Sequence, residues 1–118
     1  MPRPPEYEGS SFRIECLVRP DRSCPAGDFI DGLESSDRKK FDVLFEMMGE
    51  HGHIRNKEKF KKVEGSDGIF EFKSYQLRLL CFFAPGRRVI LLDGVRKKRD
   101  KLNRADVARA ELYKREFQ

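Results

Sequence analysis

The chain reads as an α+β domain: a twisted antiparallel sheet, a helical hairpin packed on one of its faces, and a C-terminal helix, in the order β-α-α-β-β-β-α. Three observations predict it. Ile69–Lys73, Leu77–Ala84 and Val89–Val95 are short runs rich in β-branched and aromatic residues, as strands are. Only Ser74-Tyr75-Gln76 and the Pro85-Gly86-Arg87 region separate them. Connections that short force antiparallel pairing, because a parallel return needs a crossover of about a dozen residues. Upstream, Phe41, Leu44, Phe45 and Met48 recur at i, i+3, i+4 and i+7, the spacing of one buried helix stripe.

Residues 1–11, rich in Pro, Glu, Gly and Ser, read as a flexible segment, and residues 12–118 as a single domain. Phe12, Ile14, Cys16 and Val18 alternate with Arg13 and Glu15, which predicts a half-exposed first strand. Pro20, Pro25 and Gly27 end it. Asp28 is the expected N-cap of a short helix carrying Phe29, Ile30 and Leu33, and Ser35 or Ser36 the cap of the second. Gly49 and Gly52 are the stop signals of that second helix. Residues 54–68 lack apolar periodicity and read as a linker pinned by Phe60 and Val63. After the meander, Asn103 is the expected N-cap of a last helix with Asp106 at N3, and Ala105, Ala108 and Leu112 share a shallow face flanked by Val107 and Ala110. The first strand buries its apolar side by joining the meander beneath the helical hairpin.

Composition excludes several classes. A chain of 118 residues has enough core to fold as one domain without staples. Its N-terminal Met1-Pro2-Arg3-Pro4-Pro5 has no apolar run behind it, and nothing approaches the roughly 20 apolar residues of a membrane span, so a soluble cytoplasmic protein is expected. Cys16, Cys24 and Cys81 are an odd set without a CxxC pair; Cys16 and Cys81, inside apolar strands, read as reduced buried thiols. His51 and His53 stand beside a helix end with no Cys or third His near them and read as solvated, so no metal and no cofactor is expected. A nucleophile elbow, a phosphate-cradling glycine loop and a dinucleotide fingerprint are absent, and Gly65-Ser66-Asp67-Gly68 reads as a turn.

The positive charge is clustered. The formal net charge is +5, with one group of cations at Arg55, Lys57, Lys59, Lys61 and Lys62 and another at Arg96, Lys97, Lys98, Arg99 and Lys101. Arg78 sits between Leu77 and Leu79, where a charge is costly unless it meets an open surface or a partner. In an antiparallel meander, the end of one strand lies beside the start of the next. Lys73, Arg78 and Arg96–Lys98 therefore converge on one rim. Such a patch suits RNA, whose phosphates supply affinity and whose exposed bases stack on arginine planes. It also suits cleavage in which the ribose 2′-hydroxyl attacks its own phosphate, since fixed cations stabilise the charge that gathers on the phosphoryl oxygens. Crowded cations depress one another's pKa, so a lysine can transfer the proton.

Gly68-Ile69-Phe70-Glu71-Phe72-Lys73, Arg78-Leu79-Leu80-Cys81-Phe82-Phe83, and Arg88-Val89-Ile90-Leu91-Leu92-Asp93-Gly94 followed by Lys97, Lys98 and Lys101 resemble the HigB-like branch of the RelE/ParE toxin superfamily. The likeness covers roughly residues 12–117, with the closing alanines at Ala105–Ala110. It implies a RelE-like fold and the toxin of a type II toxin–antitoxin pair, a metal-independent endoribonuclease that cleaves mRNA, commonly on the ribosome. The implied partner is an antitoxin, often a helix-turn-helix DNA-binding protein. By position, Arg78 matches a residue that contacts the scissile phosphate, and Lys97 and Lys98 match paired phosphate-stabilising or proton-transferring lysines, with Lys73 beside them. Lys57, Lys59, Lys61, Lys62, Arg96, Arg99 and Lys101 are the expected RNA-binding cations. Glu71 matches a strand glutamate, for which a structural role is expected. Asp93 stands where many relatives have His, Val95 where they have Phe and Asn103 where Pro is common, and no Tyr or His tail follows Phe117-Gln118. Two alternatives keep the fold: ParE-like inhibition of DNA gyrase, and a non-catalytic RNA-binding relative from a phage or mobile element.

Overall fold

Side-chain alternation along the central strands sorts the apolar residues onto two faces of one sheet, and each face acquires its own helices. The computed structural model describes residues 3–98 and 102–118. The elements are β1 (Tyr7–Glu8), β2 (Arg13–Cys16), α1 (Pro25–Asp31), α2 (Ser35–His51), β3 (Phe60–Lys62), β4 (Phe70–Ser74), β5 (Leu77–Ala84), β6 (Arg88–Arg96) and α3 (Arg104–Phe117). The sheet order is β1-β2-β6-β5-β4-β3. Phe72, Leu79, Cys81 and Leu91 face α1 and α2, packing on Ile30, Phe41, Leu44, Phe45 and Met48. Ile69, Leu80, Phe82, Ile90 and Leu92 face α3 and meet Ala110, with Val107, Tyr113 and Phe117 around it. Burying a large aliphatic or aromatic side chain stabilises by about 1.5–3 kcal/mol, so both faces contribute.

The α+β class and the expected order of the main elements hold, and the meander β4-β5-β6 is antiparallel throughout. The sheet is mixed, however. β2 pairs parallel with β6, with Ile14 opposite Val89. The helices and meander between them supply a crossover far longer than a parallel connection needs. A bulge at Leu80/Cys81 sets Leu80 against Asp93 and Cys81 against Leu91, leaving Leu92 as an extra residue. Leu92 and Asp93 both turn toward α3 as a result.

Two further strands lie where none was expected. In the N-terminal segment read as flexible, β1 pairs with β2, Tyr7 Oη donates to Glu50 (2.6 Å), and Arg3 forks onto Asp31 at 2.9 and 3.0 Å. Those partners lie 28 and 43 residues away, which composition cannot register. In the stretch read as a linker, β3 pairs with β4, Phe60 opposite Phe72; Phe60 and Val63 are buried as expected.

The caps also differ. α1 begins at Pro25, with Cys24 at the N-cap, so Asp28 lies inside its first turn. Glu34, in extended conformation, precedes α2, and neither Ser35 nor Ser36 caps it. Gly49 stays helical and Gly52 ends α2 in the left-handed region (φ 79°). Asn103 does cap α3, accepting from Ala105 N at 2.8 Å. The buried face of α3 is Val107, Ala110, Tyr113 and Phe117, whereas Ala105, Ala108 and Leu112 are exposed. The three cysteines are free, and no helix among the described residues is long and apolar enough to cross a membrane.

Candidate functional site

On the α3 side of the sheet, past the end of the apolar cluster, alternation places Lys61 on β3 and Glu71 and Lys73 on β4. Lys61 lies opposite Glu71 and Lys73 opposite Arg78. The chain leaving β6 is held at the β4–β5 turn, where Lys97 N donates to Gln76 O (2.7 Å). Lys97 is buried (7% exposed) and shares a cleft of about 550 Å³ with Lys61 and Lys73. The N-terminal half of α3 forms the far wall: Arg104 adds a fourth cation and Val107 and Ala108 an apolar surface, with Val63 and Leu102 beside them. Glu64, Glu71 and Glu111 are the cleft's carboxylates.

Arg78 lies deeper. It is 7% exposed, is not part of the cleft lining, and finds the partner its burial demands in Glu71, itself 4% exposed. Arg78 Nε stands 3.1 Å from Glu71 Oε1, close enough for an ion pair but off the axis of a hydrogen bond. The other end of the guanidinium is fixed by Nη1, which donates to the carbonyls of Tyr75 and Leu77. Burial pushes the Arg78 pKa down, with Glu71 opposing. Lys73 is held below the ordinary lysine range, first by burial and then by the charge of Lys61; Arg78 adds to this and Glu71 opposes it.

The expected cations therefore divide. Lys73 and Lys97 meet in the cleft, with Lys61 from the RNA-binding set. Arg78 is adjacent but committed to Glu71. Lys62 pairs with Phe70 on the opposite face of β3, and Lys57 and Lys59 are exposed ahead of that strand. Arg96, opposite Leu77, turns toward the α2 side and is exposed, as is Lys98 outside the cleft. Arg99 and Lys101 lie outside the described residues. Asp93, at the position of the relatives' histidine, accepts from Arg109 Nε (2.8 Å) and so docks α3.

Sequence reasoning missed Arg104, Glu64 and Glu111. One signal was available: Arg104 is the first residue of α3, and a cation there opposes the helix dipole, so it points to some other use. His53 Nδ1 lies 3.0 Å from His51 O, and no metal-holding cluster of three or more His, Cys, Asp or Glu occurs among the described residues.

No curated protein matches the chain. Residues 28–114 match the family described as Phage derived protein Gp49-like (DUF891). That span runs from α1 into α3 and includes all the cleft residues described above. The chain belongs to this Gp49-like family, a RelE-like family of toxins from toxin–antitoxin pairs, and membership implies a cognate antitoxin.

Proposed function

We propose that the chain is a HigB-like type II toxin that acts in the cytoplasm as a metal-independent endoribonuclease on mRNA engaged with the ribosome. Its neutralising partner is then a small helix-turn-helix antitoxin. One observation carries this reading: Lys61, Lys73, Lys97 and Arg104, from four separate segments, line one cleft that also holds the buried carboxylate of Glu71. Cations gathered without an equal number of carboxylates suit a phosphodiester.

In the proposed reaction Lys97 and the outer cations hold the phosphoryl oxygens. Glu71, oriented by Arg78, takes the proton from the 2′-hydroxyl as its oxygen attacks phosphorus. Lys73, already inclined to release a proton, donates it to the departing 5′-oxygen. The 2′-oxygen–phosphorus bond forms as the phosphorus–5′-oxygen bond breaks, giving a 2′,3′-cyclic phosphate and a 5′-hydroxyl. Arg78 acts here as a positioning residue, because direct contact with the phosphate would require it to leave Glu71.

A second reading, RNA binding without cleavage, draws on the same commitment of Arg78 to Glu71 and of Asp93 to Arg109. Expressing the chain alone in bacteria and mapping RNA ends tests both. Cleavage with cyclic-phosphate ends is expected, falling about 10²–10⁴-fold in Glu71→Gln and Lys73→Met. Intact RNA and normal growth with the wild type sink the nuclease reading, and RNA binding without those ends supports the second.

A further inference from the structure

At the rim beside the cleft, the β4–β5 connection is a two-residue hairpin turn, Tyr75-Gln76, between the paired Ser74 and Leu77. Tyr75 occupies the left-handed region (φ 54°), where Gly or Asn is the usual choice and a tyrosine is strained. The residue is 74% exposed, the largest exposure of any large hydrophobic residue described. Lys40 of α2 stands over one face of the ring, with Nζ 4.2 Å from the centroid. The turn is tied to the cleft through Gln76 O, which accepts from Lys97 N, while Tyr75 O accepts from Arg78, deeper beside Glu71. Lys73 and Lys97 thus lie on the α3 side of this turn, and Lys40 and Arg96 on the other.

Cations that continue around a turn, with one open aromatic ring between them, form the pattern that follows a single strand: charge tracks the backbone and a π-face holds a base. To the fold itself the exposed tyrosine gives one surface cation–π contact with Lys40, which returns less than the positive φ costs, and Gly or Asn would relieve that φ. We infer that Tyr75 is a stacking platform for an unpaired nucleobase of single-stranded RNA next to the phosphate held in the cleft. This rests on the RNA reading above and adds to it a binding subsite for the neighbouring nucleotide.

The test uses a fluorescent, uniformly 2′-O-methylated single-stranded oligonucleotide, which keeps bases and charge but lacks the attacking hydroxyl. Tyr75→Gly is expected to bind it about 5- to 150-fold more weakly than wild type, the range for one base–aromatic stack. Its melting temperature should hold or rise, since glycine accepts the positive φ. Tyr75→Asn, which also tolerates that φ, should show the same loss, and Tyr75→Phe should keep binding within about twofold because it keeps the ring. Wild-type affinity in Tyr75→Gly or Tyr75→Asn overturns the platform, as does a Tyr75→Phe variant as weak as Tyr75→Gly. A wild type that binds the oligonucleotide neither free nor held in the mRNA channel of a ribosome overturns the RNA reading itself, and the platform with it.

Discussion

At the scale of single residues, the pair Glu71–Arg78 decides how the site should be probed. Truncating one member of a buried pair strands the other charge, at about 3–5 kcal/mol. Arg78→Ala is therefore expected to lower stability by that amount in chemical denaturation, and its loss of activity would say little about chemistry. Glu71→Leu combined with Arg78→Met should restore most of the stability yet leave RNA uncut, and recovered cleavage in that double variant would remove Glu71 from the mechanism. Lys73 carries a stability cost of the opposite kind. Its pKa is lowered on folding, so the unfolded chain binds more protons and stability rises with pH between the folded value and the ordinary lysine range. Lys73→Met should melt a few degrees above wild type near about pH 7, with the gap closing toward about pH 10, while cleavage is lost. A gap unchanged by pH would mean that Lys73 is not destabilised by its surroundings. Lys73, Arg78 and Lys97 were legible because strict alternation and short turns fix a face and an end. The Glu71 partnership was less so, since it depends on burial that only packing establishes, and Arg104, although exposed, joins the cleft only because α3 packs across it.

At the scale of elements, the sheet and α3 must stay in register for the cleft to exist. Arg109 bridges Asp93 and Asp106 at 2.8 and 2.7 Å, Lys114 Nζ donates to Asp67 O (2.7 Å), and Glu111 accepts from Asp67 N (2.8 Å). Losing the Asn103 cap should cost about 1 kcal/mol in Asn103→Ala. Gly94 is the sharper test of α1, because a Cβ there would fall 2.0 Å from Phe29 Cγ and 2.6 Å from its Cβ. Gly94→Ala should destabilise by about 1–3 kcal/mol, although alanine is ordinarily the better strand residue. A neutral result in urea unfolding would mean that α1 packs more loosely than the structure has it. The meander and the α2 stripe were readable because their signals are local. β1 and β3, of two and three residues, are too short to show a period and exist only through partners distant in sequence. The α3 face was misjudged for a related reason: its alanines suggested a shallow contact, whereas the larger Val107, Tyr113 and Phe117 carry it.

At the scale of the whole molecule, a net charge of +5 spread over 25 Lys and Arg and 20 Asp and Glu attracts any polyanion weakly, so affinity alone cannot identify the site. Salt dependence can. Each phosphate neutralised on a single strand contributes about −0.7 to the slope of log affinity against log salt. The four cleft cations Lys61, Lys73, Lys97 and Arg104 therefore contribute roughly −3 to the slope for a non-cleavable single-stranded RNA, with any contact at Lys40 or Arg96 adding to it. Neutralising one of them, as in Lys73→Met, should bring it about 0.7 closer to zero, whereas Lys62→Met on the opposite face should leave it nearly unchanged. Tyr75→Gly should lower affinity at every salt concentration without altering the slope, because stacking releases no counterions. Equal slopes for Lys73→Met and Lys62→Met would mean that RNA sees the protein as a diffuse cation, and the cleft would lose its claim to the scissile phosphate.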